Sequence, residues 1–178
     1  MTLDLDAYMA KAIAPGVAQG VTLRLLAQED LAQVVAAYPE ELRWAMTDAQ
    51  VSQLIHQRFR SRIPAYLAQD SNGAILGASW CLDLARSSIR KIPGLSGVRG
   101  YESVSTFLVP EARGKGIAGA LKHYSMQQMH EQGFKCVANQ IRSDRVASIR
   151  MNESLGFKTA AIEDRYCALG LRWTRVHT

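Results

Sequence analysis

The apolar positions of this chain recur with two periods, near 2 and near 3.6, and the period switches at glycines, prolines and short polar clusters. Residues 21–26 (VTLRLL) alternate and begin with β-branched side chains, which predicts a first strand. Leu31, Val34, Val35 and Tyr38 then follow Asp30 at the spacing of one helical face. Thr47 with Gln50 three residues on forms a capping box, in which each side chain satisfies the other's backbone N–H. Val51, Leu54, Ile55 and Phe59 continue as an amphipathic helix that Pro64 brings to an end. Residues 65–69 and 74–82 read as two strands. Asp70-Ser71-Asn72-Gly73 between them reads as a hairpin turn, because Asn and Gly accept positive φ. The stretch from Asp83 to Gly100 shows no clear period and is expected to be mainly loop.

In the second half, residues 101–109 (YESVSTFLV) are rich in β-formers and stop at Pro110. Ile117, Ala120, Leu121 and Tyr124 mark a helix that should end near Gly133. Residues 134–141 predict another strand. Ser143 or Asp144 can cap a short helix carrying Ala147, Met151 and Leu155 on one side, with Gly156 placed for a left-handed C-cap. Phe157 opens a further strand and residues 168–176 read as the last. This order predicts an α/β (α+β) fold, a mixed sheet with helices packed against it. Residues 21–178 are expected to form a single domain, and residues 1–20 an extension outside its core with room for a short helix.

Composition narrows the class. With 178 residues, 48% of them hydrophobic and 21% charged, the chain can bury a core without disulfides or metal. Cys81, Cys136 and Cys167 are widely spaced and form no CxxC pair, so neither a metal nor a redox motif is indicated. His56, His123, His130 and His177 have no metal-ligand spacing and are mostly expected on the surface. Reduced thiols, the lack of a basic and apolar leader, and the lack of an 18-residue apolar run predict a cytoplasmic protein with no membrane partner. The net charge of +5 suits attraction of an anion. No stripe of Lys and Arg interleaved with aromatics is present, so no nucleic-acid partner is expected.

The strongest chemical signal is Val109-Pro110-Glu111-Ala112-Arg113-Gly114-Lys115-Gly116-Ile117-Ala118-Gly119, which joins a strand to a helix. The first backbone N–H groups of a helix lack intrahelical partners, and glycines let that backbone approach a ligand closely. Together with the helix dipole and Lys115, this makes a site for an anion such as a diphosphate. A Walker loop is excluded because Gly116, not Ser or Thr, follows Lys115. Gly114-x-Gly116-x-x-Gly119 meets the bare dinucleotide pattern, but the next strand has no acidic end.

The string TFLVPEARGKGIAGAL, with Arg113-x-x-Gly116-x-Ala118 at its centre, resembles the signature of the GCN5-related N-acetyltransferases, the GNAT superfamily. A second element of that family, a helix ending in L-G-F, is similar to residues 146–157, which end Leu155-Gly156-Phe157. The resemblance implies a mostly antiparallel twisted sheet that splays between its fourth and fifth strands. It also implies acetyl-CoA as cosubstrate, no metal, and a small-molecule or peptide amine as partner. Homodimers are common in the family and are allowed here. By position, backbone groups of Phe107, Leu108 and Val109 would hold the pantetheine arm, and residues Arg113, Gly114, Lys115, Gly116, Ile117, Ala118 and Gly119 the diphosphate. A backbone N–H near Leu108 or Val109, with Leu108 the candidate, would stabilise the oxyanion. The amine would attack the thioester directly, without a covalent intermediate.

The chain also departs from the family pattern. A tyrosine that many members use as general acid is Asn152 here, and a frequent asparagine is Arg145. Asn152 and Ser148 are candidates for hydrogen bonds to CoA. Glu102 is the candidate base, with a surface strand carboxylate as the alternative. Gln140 occupies the nearest position to a fifth-strand glutamate and has no basic group to offer. Tyr124 reads as core, Tyr166 as a substitute acid, and Trp44 as pocket lining or core. The competing function is a non-catalytic acetyl-CoA-binding sensor or interaction module.

Overall fold

The computed structural model describes residues 2–11, 19–43, 45–91, 95, 97–158, 161–166 and 172–177. Its regular elements are β1 (Thr2–Asp4), α1 (Leu5–Met9), β2 (Thr22–Leu25), α2 (Leu31–Ala37), α3 (Asp48–Arg60), β3 (Ala65–Gln69), β4 (Ile75–Asp83), β5 (Gly100–Leu108), α4 (Ile117–Glu131), β6 (Cys136–Ala138), β7 (Gln140–Arg142), α5 (Val146–Ser154), β8 (Ala161–Tyr166) and β9 (Arg172–His177). Six strands form a mixed sheet in the order β1-β6-β5-β4-β3-β2, and three more form a second sheet in the order β7-β9-β8. The expected α/β class with flanking helices is therefore observed. Two compact units divide the chain, one of Met1–Ala12, Leu82–Val104 and Gln128–Thr178, the other of Ile13–Cys81 and Ser105–Gln127.

In the second of these units, β2, β3 and β4 form an antiparallel meander, with Thr22 opposite Gln69 and Ala65 opposite Trp80. The turn between β3 and β4 is the one read from Asp70–Gly73. The Asp70 carboxylate accepts the Asn72 and Ala74 N–H groups at 2.9 and 2.8 Å, and Gly73 adopts φ +86°. Arg24 clamps Asp30 through two hydrogen bonds of 2.7 and 2.6 Å, and Asp30 also accepts the Ala27 N–H, fixing the corner from β2 into α2. The capping box of α3 forms as expected. Thr47 N–H donates to Gln50 Oε1 at 2.8 Å, and Gln50 N–H donates to Thr47 Oγ1 at 3.3 Å. Phe107 packs between Trp80, which stacks on it, and Tyr38, which meets it edge-on.

The helix α4 buries Ile117, Ala120 and Leu121, as its spacing predicts. It also buries Lys122, Ser125 and Met126, so the covered arc is wider than a single amphipathic face. His123 is buried as well, contrary to the expectation of a surface histidine, and burial lowers its pKa.

In the other unit the first residues are part of the sheet. β1 pairs antiparallel with β6, Leu3 opposite Val137, and Leu5 is fully buried. Within the stretch 1–20 expected as an extension, Leu3 and Leu5 are therefore core residues. The strand β1 is only three residues long, too short for its alternation to mark it in the sequence. The family's fourth and fifth strands thus correspond to β5 and β6. They pair in parallel only over Gly100–Glu102 and Cys136–Ala138. At Asn139 the chain leaves this sheet, and β7 pairs with β9 instead. The single strand predicted for residues 134–141 is thereby split, and the expected parting of strands appears.

Between Asp83 and Gly100 the backbone makes two 3-10 turns, Leu84–Arg86 and Ser88–Lys91. Asp83 caps the first by accepting the Ala85 N–H at 2.8 Å. The N-cap of α5 is Arg145, with no side-chain cap, rather than Ser143 or Asp144. Arg142 takes up the Asp144 carboxylate in an ion pair and so removes it from capping. Gly156 closes α5 at φ +91°, as expected. Among the described residues, no helix is long and apolar enough to cross a membrane.

Candidate functional site

The glycine-rich turn lies in the unit that contains the start of α4. Pro110–Ala112 make one 3-10 turn, Arg113 is extended, and Gly114 and Gly116 adopt φ +73° and +76°. Only glycine takes that conformation without strain. The Ala120 N–H donates to the Gly116 carbonyl at 3.1 Å, so the N–H groups just ahead of Ala120 have no acceptor within the helix. A Cβ at Gly114, Gly116 or Gly119 would meet nothing within 4 Å. The space in front of the turn is open, and the glycines there are not explained by packing within the chain. Lys115 is exposed and makes no ion pair among the described residues. Ile117 is buried and Ala118 half-buried, so backbone is what these two residues offer. Unpaired N–H groups, a helix N-terminus and a cation thus form a cradle that fits a diphosphate.

Arg113 acts on the turn itself. Its Nε and Nη2 both donate to the Leu108 carbonyl at 3.2 Å, and Nη2 pairs with Glu41. The side chain ties the turn back to the end of β5, which leaves its backbone as the part available to a ligand.

The end of β5 sorts the three predicted pantetheine residues. The Val109 N–H donates to the Leu76 carbonyl at 2.9 Å and is therefore taken up by β4. The Phe107 carbonyl lies against Gly77 of β4, close enough that a Cβ there would sit 2.4 Å from it. Strand alternation then directs the Leu108 N–H to the opposite edge. Among the described pairs, β5 meets β6 over Gly100–Glu102. Of the backbone N–H groups of Phe107, Leu108 and Val109, that of Leu108 is the outward-facing donor.

Also in this unit is a buried pair that the sequence did not suggest. Lys122 is 2% exposed, and burial pulls its pKa down to about 7, an effect partly opposed by Cys81. Burial pushes the Cys81 thiol up to about 12, moderated by Lys122 and by the Ser125 hydroxyl.

Glu102, the candidate base, belongs to the other unit. It is only 5% exposed, which removes the alternative of a surface strand carboxylate. The Ser87 hydroxyl donates to its Oε2, and Gln140 Nε2 donates to its Oε1 at 2.9 Å. Sequence reasoning missed Ser87, because the first 3-10 turn that delivers it carries no periodic signal. Gln140 was noticed only for lacking a basic group.

Asn152 is buried on α5, and its amide is occupied inside the protein. Its Oδ1 accepts from Asn139 Nδ2 at 2.6 Å, and its Nδ2 donates to the Ser148 carbonyl at 2.8 Å. One of the two N–H groups of Asn152 Nδ2 is thus used within α5. Ser148 is half-buried on the same helix. Tyr124 packs edge-on against Tyr66, as a core residue would. Trp44, Cys167 and the Tyr166 side chain lie outside the described residues.

A model of the acetyltransferase (GNAT) family matches residues 27–157, well over half of the chain. The chain belongs to that family. It is accordingly an acyltransferase, and its described elements match solved acetyltransferases in fold. One is a ribosomal-protein-alanine N-acetyltransferase from Brucella melitensis, at 18% identity and TM-score 0.68, covering 88% of this chain and 96% of that one. Another is a phosphinothricin acetyltransferase from Sinorhizobium meliloti in complex with AcCoA, at 21% identity and TM-score 0.68, with 89% and 86% covered. A third is an N-acetyltransferase from Staphylococcus aureus Mu50, at 21% identity and TM-score 0.66, with 89% and 97% covered. No curated protein matches this acetyltransferase in sequence.

Proposed function

We propose that this enzyme moves an acetyl group from acetyl-CoA to a primary amine by direct attack in a ternary complex. The observation that carries the reading is the glycine turn at the start of the 15-residue α4, with two left-handed glycines where an added Cβ would meet none of the described residues within 4 Å. The N–H groups of residues 114–119 and Lys115 hold the diphosphate of acetyl-CoA, which supplies the activated acyl group.

The acceptor arrives as an ammonium ion, and Glu102 takes its proton. The freed amine nitrogen forms a bond to the thioester carbonyl carbon. Negative charge collects on the carbonyl oxygen, where the Leu108 N–H stabilises it. As the C–S bond breaks, its electron pair leaves on sulfur as thiolate, and the now positively charged nitrogen gives up its second proton to solvent water, leaving a neutral amide. Asn152 has no acidic proton to give. A thiol with a pKa of about 8.5 is a fair leaving group as the anion, and it takes its proton from water.

Calorimetric titration with acetyl-CoA tests the cradle. Wild-type protein should bind, and Gly116→Glu should lose binding while keeping its circular dichroism spectrum. Unchanged affinity in the folded variant would sink the assignment. Glu102→Gln separates catalysis from binding: acetyl-CoA affinity should persist, and thiol release with a panel of primary amines should fall.

A further inference from the structure

We propose that Ser87 and Gln140 are positioning residues for Glu102, holding its carboxylate as an oriented anion. This rests on the reading of Glu102 as proton acceptor. Ser87 Oγ accepts the Ile89 N–H at 3.1 Å, so its own proton is turned toward Glu102 Oε2. Gln140 Nε2 donates to Glu102 Oε1 at 2.9 Å, and the same nitrogen lies 3.4 Å from Ser88 Oγ. Flipping this amide would set its oxygen against the Glu102 carboxylate, which has no proton to donate. Each oxygen of Glu102 therefore receives one fixed donor, from two separate segments: the stretch between the 3-10 turns and β7.

Two consequences follow from this arrangement. A carboxylate oxygen has two lone-pair directions, so one donor on each oxygen fixes the orientation of the group without using its whole accepting capacity. Donors that bond the charged form favour it over the neutral acid, offsetting the cost of burying Glu102. The other titratable groups on the segments packed around it do not substitute for these donors. Arg86 and Arg90 on the turns are exposed, and Arg90 bonds the Ala85 carbonyl. Arg142 on β7 is held by Asp144. The Cys136 thiol on β6 is pushed up to about 11 by burial and stays neutral.

The test is a carbon-13 NMR titration of the Glu102 carboxyl in the full chain, assigned with Glu102→Gln. Ser87→Ala and Gln140→Leu should each raise the midpoint, tightening proton binding by about three- to tenfold. The acidic limb of the pH–rate profile for thiol release should move up with it, and Ser87→Thr should restore both. Gln140 is half-buried, so its variant keeps the test open should Ser87→Ala not fold. A midpoint that stays put in the folded variants overturns the positioning role. A midpoint that moves while Glu102→Gln leaves thiol release unchanged overturns the reading of Glu102 as base and leaves the two donors standing.

Discussion

Lys122 gives the stability of this protein an unusual pH dependence. In the unfolded chain its ammonium has an ordinary pKa of 10.5, and in the folded protein burial lowers it to about 7. Between those values the unfolded state binds more protons than the native state, so stability rises with pH. The stabilisation is complete above 10.5 and is lost as pH falls through about 7. The slope approaches about 1.4 kcal/mol per pH unit, so the interval from pH 7 to 9 is worth up to about 3 kcal/mol. For a domain of this size that is about 6–10 °C in Tm. Above pH 9 the sign reverses for Cys81 and Cys136, whose native pKa values are raised to about 12 and about 11 from 9.0. There the unfolded thiols ionise while the native ones do not, and stability falls. The clean window is therefore pH 7–9. Urea denaturation of wild type and Lys122→Met should show a rising stability in the first and a flatter curve in the second, with the variant more stable at pH 7. Parallel curves for the two proteins would mean that Lys122 stays charged in the fold, and the argument would fail.

Three further outcomes are expected. Gly77→Ala would place a Cβ 2.4 Å from the Leu108 side chain and the Phe107 carbonyl, so urea denaturation should show a loss of about 1–3 kcal/mol, with thiol release reduced. Thr47→Ala removes the capping box of α3 and should cost about 1 kcal/mol in the same assay. Arg24 holds the Asp30 carboxyl below its ordinary 3.8, so this pair stabilises the fold above that pH and the contribution disappears as pH falls through the lowered value. Arg24→Gln should flatten the acid side of the Tm profile.

Legibility followed local chemistry. The capping box at Thr47, the hairpin at Asp70–Gly73 and the C-cap at Gly156 depend on residues within a few positions of one another, and each is found where the sequence put it. The glycine turn was readable for the same reason, since its helix start, its glycines and Lys115 are contiguous. What escaped was non-local. Leu3 joins the sheet because β6, more than 130 residues away, offers an edge. Lys122 is enclosed because α4 is covered on more than one side, which a single helical period does not announce. Ser87 and Gln140 meet at Glu102 only through tertiary structure, so neither had a motif to mark it. The direction of the Leu108 N–H depends on the register in which Val109 meets Leu76.

The bond from Ser87 to Glu102 also bears on how such an enzyme could change over evolutionary time. The stretch after β4, residues 84–91, carries no regular strand or long helix, and in this chain it supplies a donor to the buried carboxylate. A mutation that reshapes it would alter the environment of Glu102 as well. On the reading of Glu102 as base, one substitution near Ser87 would retune its proton affinity while leaving the glycine turn unchanged.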